Sequence, residues 1–181
     1  MSLLVCFSGQ IGSGKSSVTQ AVADALGWAR TGFGDFLRAE LERTGRDPTS
    51  REALQDLGQS LVERDAIAFC GAVLNRGGFN PGDGFVIDGV RHVAMYDILA
   101  ELAPPSTPKL LFLQAGQQSR ATRVNARADR ADFARAEAHR VEAELRDELP
   151  ARADAVIDAD YPFAEVVSDC LAVIDVWLRT A

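Results

Sequence analysis

Lysine is scarce in this chain, which has only Lys15 and Lys109 among 19 basic residues, set against 26 acidic ones for a net charge of −7. That balance excludes an extended polyanion-binding surface, because Lys and Arg neutralising phosphates dominate nucleic-acid affinity. No nucleic-acid partner is expected. Cysteine is scarce too: Cys6, Cys70 and Cys170 are odd in number, far apart and without metal-ligand spacing. They read as buried small hydrophobes in a reducing compartment, and the cytoplasm is the expected location. Long apolar runs are missing as well. Nothing approaches the roughly 20 residues that span a bilayer. The run Leu3–Phe7 has neither a basic segment before it nor a small-residue cleavage site after it, so neither a membrane span nor a signal peptide is expected.

What is present is the mix of a packed globular protein, 47% hydrophobic and 25% charged over 181 residues, which fits one domain over 1–181. Five short apolar runs read as buried strands: Leu3–Ser8, Trp28–Gly32, Gly84–Asp88, Lys109–Leu113 and Ala155–Asp158. Helical segments separate most of them, which predicts an α/β fold with a parallel sheet of about five strands and helices on both faces. The best helical pattern is the last, where Phe163, Val166, Val167, Cys170, Leu171, Ile174, Trp177 and Leu178 recur at three- and four-residue spacing. About 50 residues separate the second and third strand candidates, too many for a simple crossover, so a helical insert is expected there at about 35–78.

Gly9-Gln10-Ile11-Gly12-Ser13-Gly14-Lys15-Ser16 matches the phosphate-binding loop pattern of nucleoside triphosphate sites. Gly9, Gly12 and Gly14 allow backbone N–H groups to curl around a phosphate at the positive end of the following helix. Lys15 adds a charge for the β- and γ-phosphates. Ser16 offers a hydroxyl to Mg²⁺, which takes few protein ligands, and Ser17 completes the loop. An apolar strand candidate precedes the motif and an amphipathic run follows it, the order the motif needs. A three-layer P-loop NTPase fold binding ATP and Mg²⁺ is therefore expected.

Phe85-Val86-Ile87-Asp88 is an apolar run ending in a carboxylate, as in strands whose acid holds the water shell of Mg²⁺. Asp88 joins Ser16 as a metal candidate, partly through water. Arg91 follows near the carboxyl edge of the sheet, where open α/β folds bind ligands. His92 reads as a capping or packing residue.

Thr31-Gly32-Phe33-Gly34-Asp35-Phe36-Leu37-Arg38 resembles the segment that grips the acceptor phosphate in adenylate kinase and related nucleoside monophosphate kinases. The resemblance implies that Arg38 binds the acceptor's phosphate and that Asp35 lies near metal or acceptor. Phe85–Arg91 is similar to the third-strand motif of that family, with the arginine one residue earlier, and implies an acceptor contact for Arg91. Arg120, Arg123, Arg127 and Arg130 are spaced three, four and three apart, on one face if helical. In the family, lid arginines close over the transferring phosphate. Arg123 and Arg127 are the candidates here, in a short lid at about 117–135. Ala153–Asp160 resembles the last strand of such kinases and of dephospho-coenzyme A kinases.

Together these segments imply a phosphotransferase that moves the γ-phosphoryl of ATP to a small phosphate-bearing acceptor such as a nucleoside monophosphate. Lys15, Asp35, Arg123 and Arg127 would be catalytic, and Asp35, Arg38 and Arg91 would bind the acceptor. A dephospho-coenzyme A kinase or a nucleoside kinase with Asp35 as base stays open. So does a regulatory NTPase that signals to a protein partner.

Overall fold

Seven consecutive buried residues, Leu3–Gly9, form β1 at the centre of the sheet. A strand apolar on both sides is stable only when both faces are covered, which is the parallel-sheet case. The computed structural model describes residues 2–125 and 144–180. Around β1 lie β2 (Ala29–Gly32), β3 (Phe85–Val90), β4 (Thr107–Gln114) and β5 (Ala155–Asp158), in the order β2-β3-β1-β4-β5 with every pairing parallel.

The pleat of β1 divides the core in two. Leu4 and Cys6 face one layer, with Phe69, Cys70 and Val73 of α3 (Arg51–Arg76) and Met95 and Leu99 of α4 (Val93–Leu102). Leu3, Val5 and Phe7 face the other, with Val18 and Val22 of α1 (Lys15–Leu26) and Val166, Cys170, Ile174 and Trp177 of the closing helix Phe163–Thr180. The expected closing helix therefore docks through the stripe that its spacing predicted from Val166 onward, while Phe163 stays exposed. The three cysteines are free and buried, and loss of hydration pushes the Cys70 and Cys170 thiols up to about 12.

The stretch between β2 and β3 is helical, as expected. It holds α2 (Phe33–Arg43) and α3. Ser50 caps α3, its hydroxyl accepting from Ala53 N at 3.2 Å. The helix is interrupted at Asp65, whose backbone is extended and whose carboxylate accepts from Ala68 N at 2.8 Å, capping a second segment. The second segment carries Phe69, Cys70, Val73 and Leu74 into the core, while Leu61 and Val62 of the first are only partly buried against it.

The third strand runs two residues beyond the expected end at Asp88. Asp88 pairs with Phe7 and Val90 with Ser8, so Gly89 is bulged out at φ 90°. Such a bulge suits glycine and re-aims the chain, here toward the mouth where Arg91 lies. After β4 come α5 (Gln117–Asn125) and, beyond the undescribed segment, a π-helical turn at Glu144–Glu148 running into α6 (Leu149–Arg152). The closing helix Phe163–Thr180 is α7. Among the described residues, no helix is long and apolar enough to cross a membrane.

Candidate functional site: a phosphate loop open to a second pocket

The loop from Gly9 to Gly14 joins the carboxyl end of β1 to the N-terminus of α1. Gly9, Gly12 and Gly14 have φ of 152°, 83° and 84°. Side chains would not fit at the first two. A Cβ on Gly9 would lie 2.7 Å from the carbonyl oxygen of Leu113, and one on Gly12 the same distance from that of Arg120. The loop is therefore clamped against the end of β4 and the start of α5. Gly12→Ala combines the cost of a left-handed conformation, about 1–2 kcal/mol, with this backbone clash. Its affinity for a non-hydrolysable ATP analogue should fall at least ~10-fold in calorimetry, with the unfolding of the sheet still cooperative.

Lys15 opens α1 and reaches back to the end of β3, placing Nζ 3.7 Å from Asp88 Oδ1. The two side chains are 10% and 8% exposed, so this ion pair is shielded from water far more than a surface pair. Asp88 Oδ2 accepts from Arg30 at 3.1 Å. Asp88 Oδ1 is buried and has no hydrogen-bond partner among the described residues, and the same holds for Ser13 Oγ. Buried polar atoms are almost always satisfied, so two such atoms beside a phosphate loop point to a bound group that supplies partners. An ATP–Mg²⁺ pair fits: glycine-lined backbone and Lys15 for phosphates, Ser16 and the waiting Asp88 oxygen for the metal shell. Among the described residues no cluster of three or more His, Cys, Asp or Glu could hold a metal. Mg²⁺ needs none, since it keeps several waters and takes its other ligands from phosphates. When bound it would neutralise phosphate charge.

The acceptor-side candidates stand close by. Asp35, in the first turn of α2, pairs with Arg38 at 2.9 Å and with Arg30 at 3.3 Å. Asp35 and Arg38 side chains are each 53% exposed, available to a ligand rather than locked in the core. Arg91 and His92 follow β3. His92 takes the N-cap position of α4, but its side chain makes no capping bond. A cleft of about 650 Å³ runs from the phosphate loop over Asp88, Arg91 and His92 into the gap between α2 and the first part of α3, where Phe33, Leu37, Phe69 and Met95 supply apolar wall. The structure therefore brings Lys15, Ser16, Asp88, Asp35, Arg38 and Arg91 around one space.

Arg123 sits elsewhere on the loop. It donates to Ser13 O at 3.3 Å and to Ala159 O at 2.6 Å, tying the loop to the end of β5. Arg120, buried, donates to Ile11 O at 3.4 Å. Asp160 lies alongside, its carboxyl held below the usual range by hydrogen bonds from Ser119 and then Gly116 N, with the Arg123 charge adding to the effect. Arg127 and Arg130, with most of the expected lid, lie outside the described residues.

Sequence reading missed Arg30, which joins Asp88 to Asp35. The available signal was an arginine inside a four-residue strand, where a parallel sheet calls for apolar side chains. It also missed the α3 residues Gln55 and Gln59, which line the cleft. Their spacing of four with Gly58 between them marks one helix face, but nothing in the chain tells a cleft-facing polar stripe from a solvent-facing one.

No family model matches the chain. A stretch of 98 residues is 36% identical to a UPF0200 protein of Aeropyrum pernix, covering 54% of this chain and 51% of that protein. The match thus spans about half the length of the curated relative. Among solved structures, the chain is similar to a gluconokinase from Sinorhizobium meliloti, with TM-score 0.65 and 22% identity over 99% of this chain and 98% of that one. It is also similar to a sugar kinase from Janibacter sp., with TM-score 0.57 and 20% identity over 97% and 95%. A shikimate kinase from Bacteroides thetaiotaomicron gives 0.61 and 14% over 96% and 98%. The chain shares the α/β fold of these proteins. At these identities the likeness reaches no further than the fold.

Proposed function

We propose that the protein is an ATP- and Mg²⁺-dependent phosphotransferase that moves the γ-phosphoryl group of ATP to a nucleoside monophosphate. The observation that carries this reading is the continuity of the cleft from the phosphate loop to an apolar, arginine-lined pocket between α2 and α3. A switch that only hydrolyses its nucleotide has no need for such a pocket. Its volume of about 650 Å³ lies within the range of small-molecule sites.

Phosphoryl transfer asks little covalent chemistry of the protein. It requires donor and acceptor in line and charge stabilised on the moving group. Lys15 supplies a cation at the loop, and Ser16 with Asp88 would hold the metal. Arg38, with Arg91, would hold the acceptor's anionic group, and Asp35 would orient Arg38. Phe33, Leu37, Phe69 and Met95 suit the flat apolar face of a base, with Gln55 near enough in the lining for an amide contact. On this reading the helical insert, about 35–78, is the acceptor-binding part; Arg127 of the lid, about 117–135, would add to the charge neutralisation, and Arg123 would join it by exchanging a bond to Ser13 O or Ala159 O for one to the phosphate.

A second reading keeps the reaction and changes the acceptor. Arg38 and Arg91 would serve a carboxylate as well as a phosphate, and similar folds carry the names gluconokinase and shikimate kinase. A coupled ADP-release assay separates the two, run with nucleoside monophosphates, nucleosides, dephospho-coenzyme A, gluconate and shikimate. The proposal expects the highest kcat/KM with a nucleoside monophosphate; activity confined to the hydroxy acids would assign the second reading, and failure with every acceptor would sink both.

Arg38→Ala tests the acceptor side. Losing a hydrogen bond to a charged group costs about 1.5–3 kcal/mol, so acceptor KM should rise roughly 10- to 100-fold. Nucleotide affinity should hardly change, because Arg38 contacts Asp35 and not the loop.

A further inference from the structure

Arg30 lies in β2 opposite Val86 in the ladder with β3. Its side chain is 14% exposed, and the residues beside it in the ladder, Val86 and then Val5, are apolar and fully buried. A charge so placed costs desolvation unless it is fully engaged. Arg30 is engaged at three points. Nε donates to Thr19 Oγ1 at 3.0 Å, one terminal nitrogen to Asp88 Oδ2 at 3.1 Å, and the other to Asp35 Oδ2 at 3.3 Å. Thr19 Oγ1 in turn donates to Ser16 O at 3.0 Å. One rigid fork thus connects the residue expected to bind Mg²⁺, the carboxylate beside it and the carboxylate that meets Arg38.

We propose that Arg30 is a positioning residue for the metal–nucleotide half of the site: by holding Asp88 Oδ2 it fixes the carboxylate so that Oδ1 is presented to the Mg²⁺ shell. This rests on the reading of Ser16 and Asp88 as the metal side of an ATP site. With Oδ2 occupied by Arg30, the carboxylate cannot rotate freely, and the oxygen left without a hydrogen-bond partner is the one facing Lys15. Lysine cannot replace the fork. A single ammonium has no fixed planar set of donors to span two carboxylates and a hydroxyl at once.

The test is a binding experiment and needs no turnover. The affinity for the β,γ-imido analogue of ATP is measured by calorimetry across a Mg²⁺ titration, for the wild type, Arg30→Lys, Arg30→Gln and Thr19→Val. Loss of a charge-assisted hydrogen bond predicts that the Mg²⁺ concentration giving half-maximal affinity rises ~10-fold in Arg30→Gln. Arg30→Lys should shift it ~5-fold and Thr19→Val, which removes the hydroxyl's bonds with Arg30 Nε and Ser16 O but leaves Asp88 held, ~2-fold. Metal-free affinity for the analogue should stay within about 2-fold of wild type, because Arg30 does not reach the loop backbone. If Arg30→Gln is too unstable to study, Arg30→Lys and Thr19→Val carry the test. Variants that are less stable to heat yet titrate with Mg²⁺ like the wild type would overturn the proposal, leaving Arg30 a structural ion pair. Should the wild type bind the analogue with no dependence on Mg²⁺, the metal reading of Ser16 and Asp88 itself fails, and the proposal falls with it. If instead no acceptor is phosphorylated while the predicted shifts are found, the kinase reading alone is lost.

Discussion

Lys15→Ala should remove phosphoryl transfer almost completely, with kcat/KM falling on the order of 10³-fold or more, equivalent to about 4 kcal/mol of transition-state stabilisation. Lys15 is one of two lysines in the chain, and it is the one at the start of α1. Its ammonium lies 3.7 Å from Asp88 in a pocket where both side chains are about nine-tenths buried. A charge in such a place acts at lower effective dielectric than one in water. Charge develops on the transferred group and its bridging oxygen as the reaction proceeds, so a fixed cation there contributes more to the transition state than to the ground state. The loss should therefore fall mainly on kcat, with nucleotide KM changing less. Initial-rate kinetics with varied ATP and acceptor would show the split. A variant that kept more than a tenth of wild-type kcat would remove Lys15 from the chemistry.

Asp88→Asn should have an effect of comparable size with a different signature. The substitution is nearly isosteric, but it leaves Lys15 and Arg30 facing a neutral amide. Uncovering buried charge costs about 3–5 kcal/mol. The value should lie near the lower end, because the amide oxygen can still accept from Arg30. Urea denaturation would register this as a lower midpoint with an unchanged slope. Catalysis should fall ~10²- to 10³-fold, since the metal side loses its carboxylate. Unlike Lys15→Ala, this variant should be partly rescued by raised Mg²⁺. Folding lost with no change in Mg²⁺ dependence among the folded molecules would mean that Asp88 is only a counter-ion.

The legibility of these features differs for physical reasons. The phosphate loop was readable because its task fixes residue type at each position: glycines where φ is positive or backbone lies within 3 Å, a lysine, a hydroxyl. The central strands were readable because parallel strands covered on both faces become near-continuous apolar runs, as β1 is from Leu3 to Phe7. β3 runs two residues past Asp88, which the sequence does not show because the bulge at Gly89 looks in it like a turn that ends a strand. Arg30 escaped notice because its importance lies in what it reaches across the sheet, and pairing between β2 and β3 spans more than 50 residues. The arginines from Arg120 onward share one helical spacing, yet Arg120 and Arg123 hold the phosphate loop's carbonyls, a role that spacing cannot distinguish from contact with a phosphate.

The central claim is that one cleft holds a phosphoryl donor and its acceptor together. Phosphorus NMR of the wild-type protein with Mg²⁺·ATP and the acceptor preferred in the coupled assay tests it most directly, by following where the γ-phosphorus goes. The account predicts that ADP and phosphorylated acceptor accumulate in equal amounts, with little inorganic phosphate, and that neither accumulates when Lys15 is alanine. Accumulation of ADP and inorganic phosphate at a rate indifferent to any acceptor would contradict it.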